Sequence, residues 1–271
     1  MEKGGLGNYL EDRGCLLVEA KTALLTTEEQ KEYGAWHQLG LASHHLAEIV
    51  AEQQIQGLFG IGLLSNCNGL LGMLAGLQHS RSTPRPLRVS LVWIDAHADF
   101  NTPETTLSGM LGGMPVAVST GQCLHRLRTK CGLDPALPTR YVTMVAVRDP
   151  DPLEQELLDR SEIQHITAEE TRRLSPAIDT QMKRLSSLSD VIYVHVDMDV
   201  LDTEEVPGHG LTVRGGPTSI ELGKALEVML RYPKAAAFGI ASYPASRDPD
   251  KRSLRAAYNL IEGVTRGLKS R

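Results

Sequence analysis

Five residues in two short segments carry the chemistry that can be read from this chain. They are Asp95, His97 and Asp99 in Asp95-Ala96-His97-Ala98-Asp99, and Asp197 and Asp199 in Asp197-Met198-Asp199. Four carboxylates and one imidazole are the donor set of a site for hard divalent cations. Side chains alternate faces along a strand, so Asp95, His97 and Asp99 can converge on one side, as can Asp197 and Asp199. Two closely spaced cations lower the pKa of a bridging water towards neutrality. Asp99 could then accept a hydrogen bond from the resulting hydroxide and relay its proton to a leaving amine. The competing reading takes such acids as solvated loop residues or helix caps; two clusters at matching strand ends weigh against it.

The elements that must position these residues follow from the apolar pattern. Leu91–Ile94 and Val191–Val194 are apolar runs that would deliver both clusters to one edge of a parallel sheet, the edge where open α/β sheets bind ligands. Short apolar runs alternate with longer amphipathic ones, the sign of βα repetition. Strands are expected at Cys15–Glu19, Gly57–Leu63, Val89–Ile94, Tyr141–Val147, Ile163–Ile166, Val191–Val196 and Ala235–Ile240. Helices are expected near Tyr33–Gln53, Gly69–Gln78, Leu153–Arg160, Pro176–Leu188, Ser219–Arg231 and Lys251–Leu268. Asp149-Pro150-Asp151-Pro152 reads as a turn and helix start. Gly112-Gly113 and Gly215-Gly216 follow the two acidic clusters, where loops must pass close to a site. The expected architecture is a three-layer α/β/α fold with a central, mostly parallel sheet. No linker or repeat divides the chain, so residues 1–271 are expected to form one domain.

Composition narrows the function classes. Hydrophobic content of 41%, charge content of 23% and a net charge of −5 describe an ordinary globular enzyme-sized chain and give no support to a nucleic-acid partner. No apolar stretch is long enough to span a bilayer, and Met1–Gly5 lacks the apolar core of a secretory signal. Cys15, Cys67, Cys123 and Cys131 show no disulfide framework, which fits a reducing, cytoplasmic setting. Cys123 and Cys131 lack the second close pair of a zinc ribbon and read as structural.

With these clusters in view, the chain resembles the ureohydrolases: arginase, agmatinase, formiminoglutamase and relatives. The resemblance spans nearly the whole chain and rests on Asp95–Gly109 and on Val196-Asp197-Met198-Asp199-Val200-Leu201-Asp202. It implies an arginase-like fold in which the N-terminal strand of the family is missing or the start is truncated. It implies two Mn²⁺ ions bridged by Asp95 and Asp197, with His97 and Asp199 completing one ion and Asp99 serving the other. A shared hydroxide would attack a guanidinium carbon. It further implies a small-molecule substrate and a trimeric or hexameric assembly. Asn101, Ser108, Asp151 and Glu154 match family residues that hold the amino-acid end of the substrate; Asp151 and Glu154 read equally well as acids at a helix N-terminus.

Three positions depart from the family pattern. Cys67 stands where the family's first metal ligand is a His. It reads as a softer ligand that favours Zn²⁺ or Fe²⁺ over Mn²⁺ or leaves one ion only, as a buried filler, or as a nucleophile. A subgroup acting on N-hydroxyarginine carries a similar Cys-containing segment. Gly112 stands where arginases carry a proton-shuttling His, and His209 in Pro207-Gly208-His209-Gly210 is the candidate substitute, or else a solvated loop residue. Ala241 stands where arginases hold the guanidinium with a Glu. Loss of that charge-assisted partner amounts to a few kcal/mol, which makes ordinary arginine hydrolysis doubtful. The sequence therefore points to a metal-dependent hydrolase of a C–N bond in a guanidino, hydroxyguanidino or amidine-type molecule. The alternatives are a non-catalytic protein of the same fold that binds a metal or ligand, and a single-zinc deacetylase, which the paired aspartates disfavour.

Overall fold

The computed structural model describes residues 5–81 and 85–271. Its frame is six strands: β1 Gly60–Leu64, β2 Val89–Ile94, β3 Val142–Val145, β4 Gln164–Ile166, β5 Val191–Asp197 and β6 Ala235–Ala241. All pairings are parallel, in the order β1-β6-β5-β2-β3-β4. The helices are α1 Leu6–Glu11, α2 Ala35–Ile55, α3 Leu70–Gln78, α4 Pro115–Ser119, α5 His125–Lys130, α6 Pro152–Asp159, α7 Ala168–Arg172, α8 Pro176–Leu188, α9 Ser219–Leu230 and α10 Arg252–Lys269. None is long and apolar enough to cross a membrane.

The central strands read as continuous apolar runs because both of their faces are covered. Val92, Ile94, Val194, Val196 and Ile240 pack with Leu226 and Leu260 from α9 and α10. Leu91, Trp93, Tyr193 and Ala237 pack on the other face with Leu70, Leu74 and Leu77 from α3. These two cores, one on each side of the sheet, make the three layers. Helices α9 and α10 approach closely enough that a Cβ at Gly263 would lie 2.0 Å from the Gly223 carbonyl oxygen.

Register then fixes the site. Ile94 pairs with Val196 and Val196 with Ile240, while Asp197 pairs with Ala241 and Ala241 with Leu64. The carboxyl ends of β1, β6, β5 and β2 therefore lie side by side, and the segments that leave them carry Cys67, Ser242, Asp197 and Asp95.

The strand expected at Cys15–Glu19 is not formed. Those residues form no regular element and pair with no strand among the described residues, and Leu16 is fully exposed. β propensity needs a neighbouring ladder to be realised, and here none lies alongside. The four short helices α1, α4, α5 and α7 have no counterpart in the sequence reading; each is five or six residues, too short for a 3.6-residue period to register.

Candidate metal centre

Both acidic clusters use the same local device. Asp95 leaves β2 and its Oδ1 accepts the His97 N–H at 2.7 Å; Asp197 ends β5 and its Oδ1 accepts the Asp199 N–H at 2.9 Å. Each is an Asx turn, in which a short carboxylate bonds its own backbone two residues on. The turn places residues i and i+2 on one side. The clusters then interlock: the Ala96 N–H donates to Asp199 Oδ1 at 3.3 Å, and His97 Nδ1 lies 3.2 Å from Asp199 Oδ2 and 3.4 Å from Asp95 Oδ1. Asp99 is held at a φ of 48°, left-handed backbone that a non-glycine residue adopts at a cost.

Cys67 opens a single helical turn after β1. It is buried, and its thiol donates to Asp197 Oδ2 at 2.7 Å, with Asp95 Oδ2 3.8 Å away. The Ser242 hydroxyl, at the end of β6, also donates to Asp197 Oδ2. His209 arrives from the loop after β5, with Nε2 3.7 Å from Asp197 Oδ1 and a side chain only 10% exposed. Beneath the site on β5, His195 is wholly buried, stacked on Trp93 at 4.5 Å and bonded through Nδ1 to the Tyr193 hydroxyl at 3.0 Å. Burial pushes its pKa down to about 3, so it stays neutral.

Three donor triads result: Cys67, Asp95 and Asp99; Asp95, His97 and Asp199; and Asp197, Asp199 and His209, each with ligand atoms within 4.8 Å of one another. The electrostatics explain what such an arrangement requires. Burial, and then the neighbouring carboxylates, push Asp95 and Asp99 well above the usual carboxylate range. Burial and Asp199 push Asp197 up to about 6. Burial works the same way on Asp199, but the hydrogen bond and charge of His97 outweigh it and hold that pKa low. Burial pulls His97 down, yet Asp199 and Asp95 overcome it and raise the imidazole to about 11. Four carboxylates at 1–7% exposure thus crowd around one protonated imidazole, a charge excess that divalent cations would neutralise. Oxygen donors with one or two imidazoles fit Mn²⁺ or a similar hard ion, and the thiol at Cys67 adds one softer donor.

The expected substrate residues divide. Asn101 and Asp151 are brought together, Nδ2 donating to Asp151 Oδ2 at 3.0 Å, while Thr105 donates to Asn101 Oδ1 at 2.8 Å. Glu154 is buried, with Oε1 accepting the Phe100 N–H at 2.7 Å and Oε2 the Asp151 N–H at 3.1 Å, so it joins the metal loop to the start of α6. Ser108 is exposed, and its hydroxyl bonds locally with Thr106 and Met110. A Cβ at Gly112 would meet nothing within 4 Å, so the absence of a side chain there is not steric. Ala241 is fully buried and brings no carboxylate.

Two contributors were not singled out from sequence. Ser242 reaches Asp197 through a backbone φ of 62°, which nothing local in the sequence announces. Arg148 sits just after β3 within the Arg-Asp-Pro-Asp segment, and its position at a strand's carboxyl end was the available signal.

Known proteins resemble this chain in sequence and in fold. The sequence model of the arginase family matches residues 70–265. An arginase of Brevibacillus brevis is 30% identical over 227 residues, covering 83% of this chain and 73% of that protein. The human protein arginase-2, mitochondrial, is 31% identical over 188 residues, covering 66% of this chain and 51% of that protein. The crystal structure of arginase from Bacillus subtilis superposes with a TM-score of 0.84 at 25% identity, over 97% of this chain and 89% of that one. Formimidoylglutamase from Bacillus subtilis, at 18% identity and a TM-score of 0.70 over 84% of this chain and 67% of that one, shares the fold.

Proposed function

The chain belongs to the arginase family, and from that premise we propose that it hydrolyses a C–N bond of a small, amino-acid-derived guanidino-type molecule with the help of bound divalent cations. The observation that carries this reading is the convergence of Cys67, Asp95, His97, Asp99, Asp197, Asp199 and His209 in three overlapping donor triads at one sheet edge. A non-catalytic role has no observation in its favour, since the relatives named above are enzymes.

Asp95, His97, Asp197 and Asp199 would hold one cation, and Cys67, Asp95, Asp99 and Asp197 the other, Mn²⁺ being the ion expected of the family. When bound, the cations supply Lewis-acid charge that polarises the substrate and brings a water's pKa towards neutrality. The rest of the work falls to the chain. Asp99, buried in one donor triad with Cys67 and Asp95, would accept the proton released as water attacks the central carbon. His209 would pass to the departing amine the proton that Asp99 has taken up, so that no net proton is gained or lost. The Leu211 N–H donates to His209 Nδ1 at 3.3 Å and helps orient the ring, whose Nε2 lies 3.7 Å from Asp197 Oδ1. Asn101 and Asp151, paired on the rim, and Ser108 on the neighbouring loop bind the amino-acid end.

The residues at the end of β6 argue for a substrate less basic than arginine. Ala241 is buried and Ser242 presents only a hydroxyl, already directed at Asp197. A full guanidinium placed there gains no bidentate carboxylate. An N-hydroxyguanidino group, less basic and able to bond through its own hydroxyl, fits that environment, as in the Cys-containing subgroup acting on N-hydroxyarginine. The test is a substrate panel of arginine, agmatine, N-hydroxyarginine and formiminoglutamate with Mn²⁺, Fe²⁺ or Zn²⁺. Metal-dependent release of hydroxyurea from N-hydroxyarginine in excess of urea from arginine is expected. Absence of turnover on every compound with every metal would overturn the reading.

A further inference from the structure

Arg148 ties together three segments at the centre, one through its backbone and two through its side chain. Its backbone N–H donates at 3.0 Å to the Ala96 carbonyl, between Asp95 and His97. Its Nη2 donates to the Val200 carbonyl at 3.2 Å, directly after Asp199. The same Nη2 donates to the Val213 carbonyl at 2.8 Å and Nε to the Arg214 carbonyl at 3.1 Å, on the loop that carries His209. Nη1 returns to the Ala146 carbonyl at 2.9 Å, next to a backbone φ of 65° that turns the chain out of β3. A guanidinium presents its donors in a rigid fork, so one plane fixes the relative positions of every carbonyl it meets.

The loop that bears His209 is also held elsewhere: Val206 is buried in the core, Gly208 lies against the Arg247 backbone, and the Asp202 N–H donates to the Pro217 carbonyl at 2.9 Å. Arg172 Nη1 takes the Gly215 carbonyl at 2.7 Å, and at the far end Glu205 bonds the backbone and hydroxyl of Ser219. His209 itself has the local bonds to Val206 and Leu211 and the approach to Asp197. We infer that Arg148 is a positioning residue: by holding the Val213 and Arg214 carbonyls against the Val200 carbonyl, it sets the depth at which His209 enters the centre. The catalytic consequence rests on the role proposed above for His209; the mechanical consequence does not.

The two are separated by experiment. Hydrogen–deuterium exchange on the metal-free and Mn²⁺-loaded full-length protein reads the mechanics. In Arg148→Met, amides between residues 205 and 216 should exchange at least about tenfold faster, with β5 and α9 unchanged. Arg148→Lys keeps the charge but not the fork and should give an intermediate, loop-confined increase; it carries the test if the Met variant does not fold. Unchanged exchange in that loop overturns the inference whatever the enzyme does. With a turned-over substrate, Arg148→Met should lower kcat by about ten- to a hundredfold, the scale of a misplaced catalytic group. KM should stay within about threefold, and Arg148→Lys should recover part of the rate. In a His209→Asn background the same Arg148→Met change should lower kcat by less than about threefold, because the two act as a unit. Full additivity overturns the claim that Arg148 acts through His209. Loss of activity in the unmodified protein on every substrate would instead fault the proposed function, leaving the exchange result to stand alone.

Discussion

Replacing Asp197 by Asn should stabilise the metal-free protein near neutral pH while destroying the site that needs the aspartate. Burial and Asp199 raise the Asp197 pKa from 3.8 to about 6. A raised carboxyl pKa means that the fold binds the proton more tightly than the unfolded chain does. Below pH 3.8 both states are protonated and nothing is lost. As pH climbs from 3.8 through about 6, the unfolded chain ionises first, and the fold loses stability until its own carboxyl ionises. The rise from 3.8 to about 6 corresponds to about 3 kcal/mol, fully lost at pH 7 and above. His97, raised from 6.5 to about 11, stays protonated in the fold across this window, and the titration of its unfolded form is common to both proteins and cancels in the comparison. Asn cannot ionise, and its Oδ1 still accepts the Asp199 N–H; its amide group meets the Cys67 and Ser242 donors less well, at a cost of about 1 kcal/mol. The net gain is about 2 kcal/mol, or roughly 4 °C in Tm for a chain of this size. Thermal unfolding in excess chelator from pH 4 to 7.5 reads it directly. The variant should be at or below the unmodified protein near pH 4 and above it at pH 7.5. An Asn variant that is the less stable form at pH 7.5, or a difference that does not move with pH, would refute the electrostatic account of the cluster.

Three further outcomes follow from the same contacts. Metal binding should expel protons at pH 7, because His97 is protonated in the metal-free site and must be neutral to bind a metal; calorimetric heats in buffers of different ionisation enthalpy should give at least about one proton released per chain, and buffer-independent heats would count against the protonated His97. Cys67→His should raise Mn²⁺ affinity by about tenfold or more relative to Zn²⁺, since it replaces a soft donor by imidazole within the Asp95 and Asp99 triad; competitive metal titration checks it, and an unchanged Mn²⁺ to Zn²⁺ ratio would place Cys67 outside the coordination sphere. Glu154→Gln should destabilise the fold by about 1–3 kcal/mol, because one of the buried Phe100 and Asp151 N–H groups would face an amide donor; denaturant unfolding measures it, and a loss below that range with an intact m-value would assign Glu154 to substrate rather than to the scaffold.

Much of the frame was legible in the sequence because its signals are local. β2, β5 and β6 are apolar runs bounded by polar residues, and each falls within a residue of its expected limits. The acidic pairs announce themselves because the Asx turns that shape them are contained in three residues. Cys15–Glu19 misled for a non-local reason: an apolar run becomes a strand only when another strand lies beside it, and none does. The contacts of Arg148 with the Val200, Val213 and Arg214 carbonyls join positions 52 to 66 residues apart, which no spacing rule anticipates. Ser242 was hidden in the same way, because its reach to Asp197 depends on a left-handed turn at the end of β6. For Glu154 the sequence offered two readings of one acid. The structure gives it two backbone N–H partners that link the loop after Asp99 to α6.

The central claim is that six side chains from the ends of β1, β2 and β5, joined by His209, form a paired cation site. Its most direct test is the metal content of the full-length protein after chelation, reconstitution with Mn²⁺ and removal of free ion, measured by elemental analysis. Two equivalents per chain, falling to one or fewer in Asp197→Asn, is the result this account predicts. A correctly folded protein that retains no metal, or that retains the same amount when Asp197 is replaced, would contradict it.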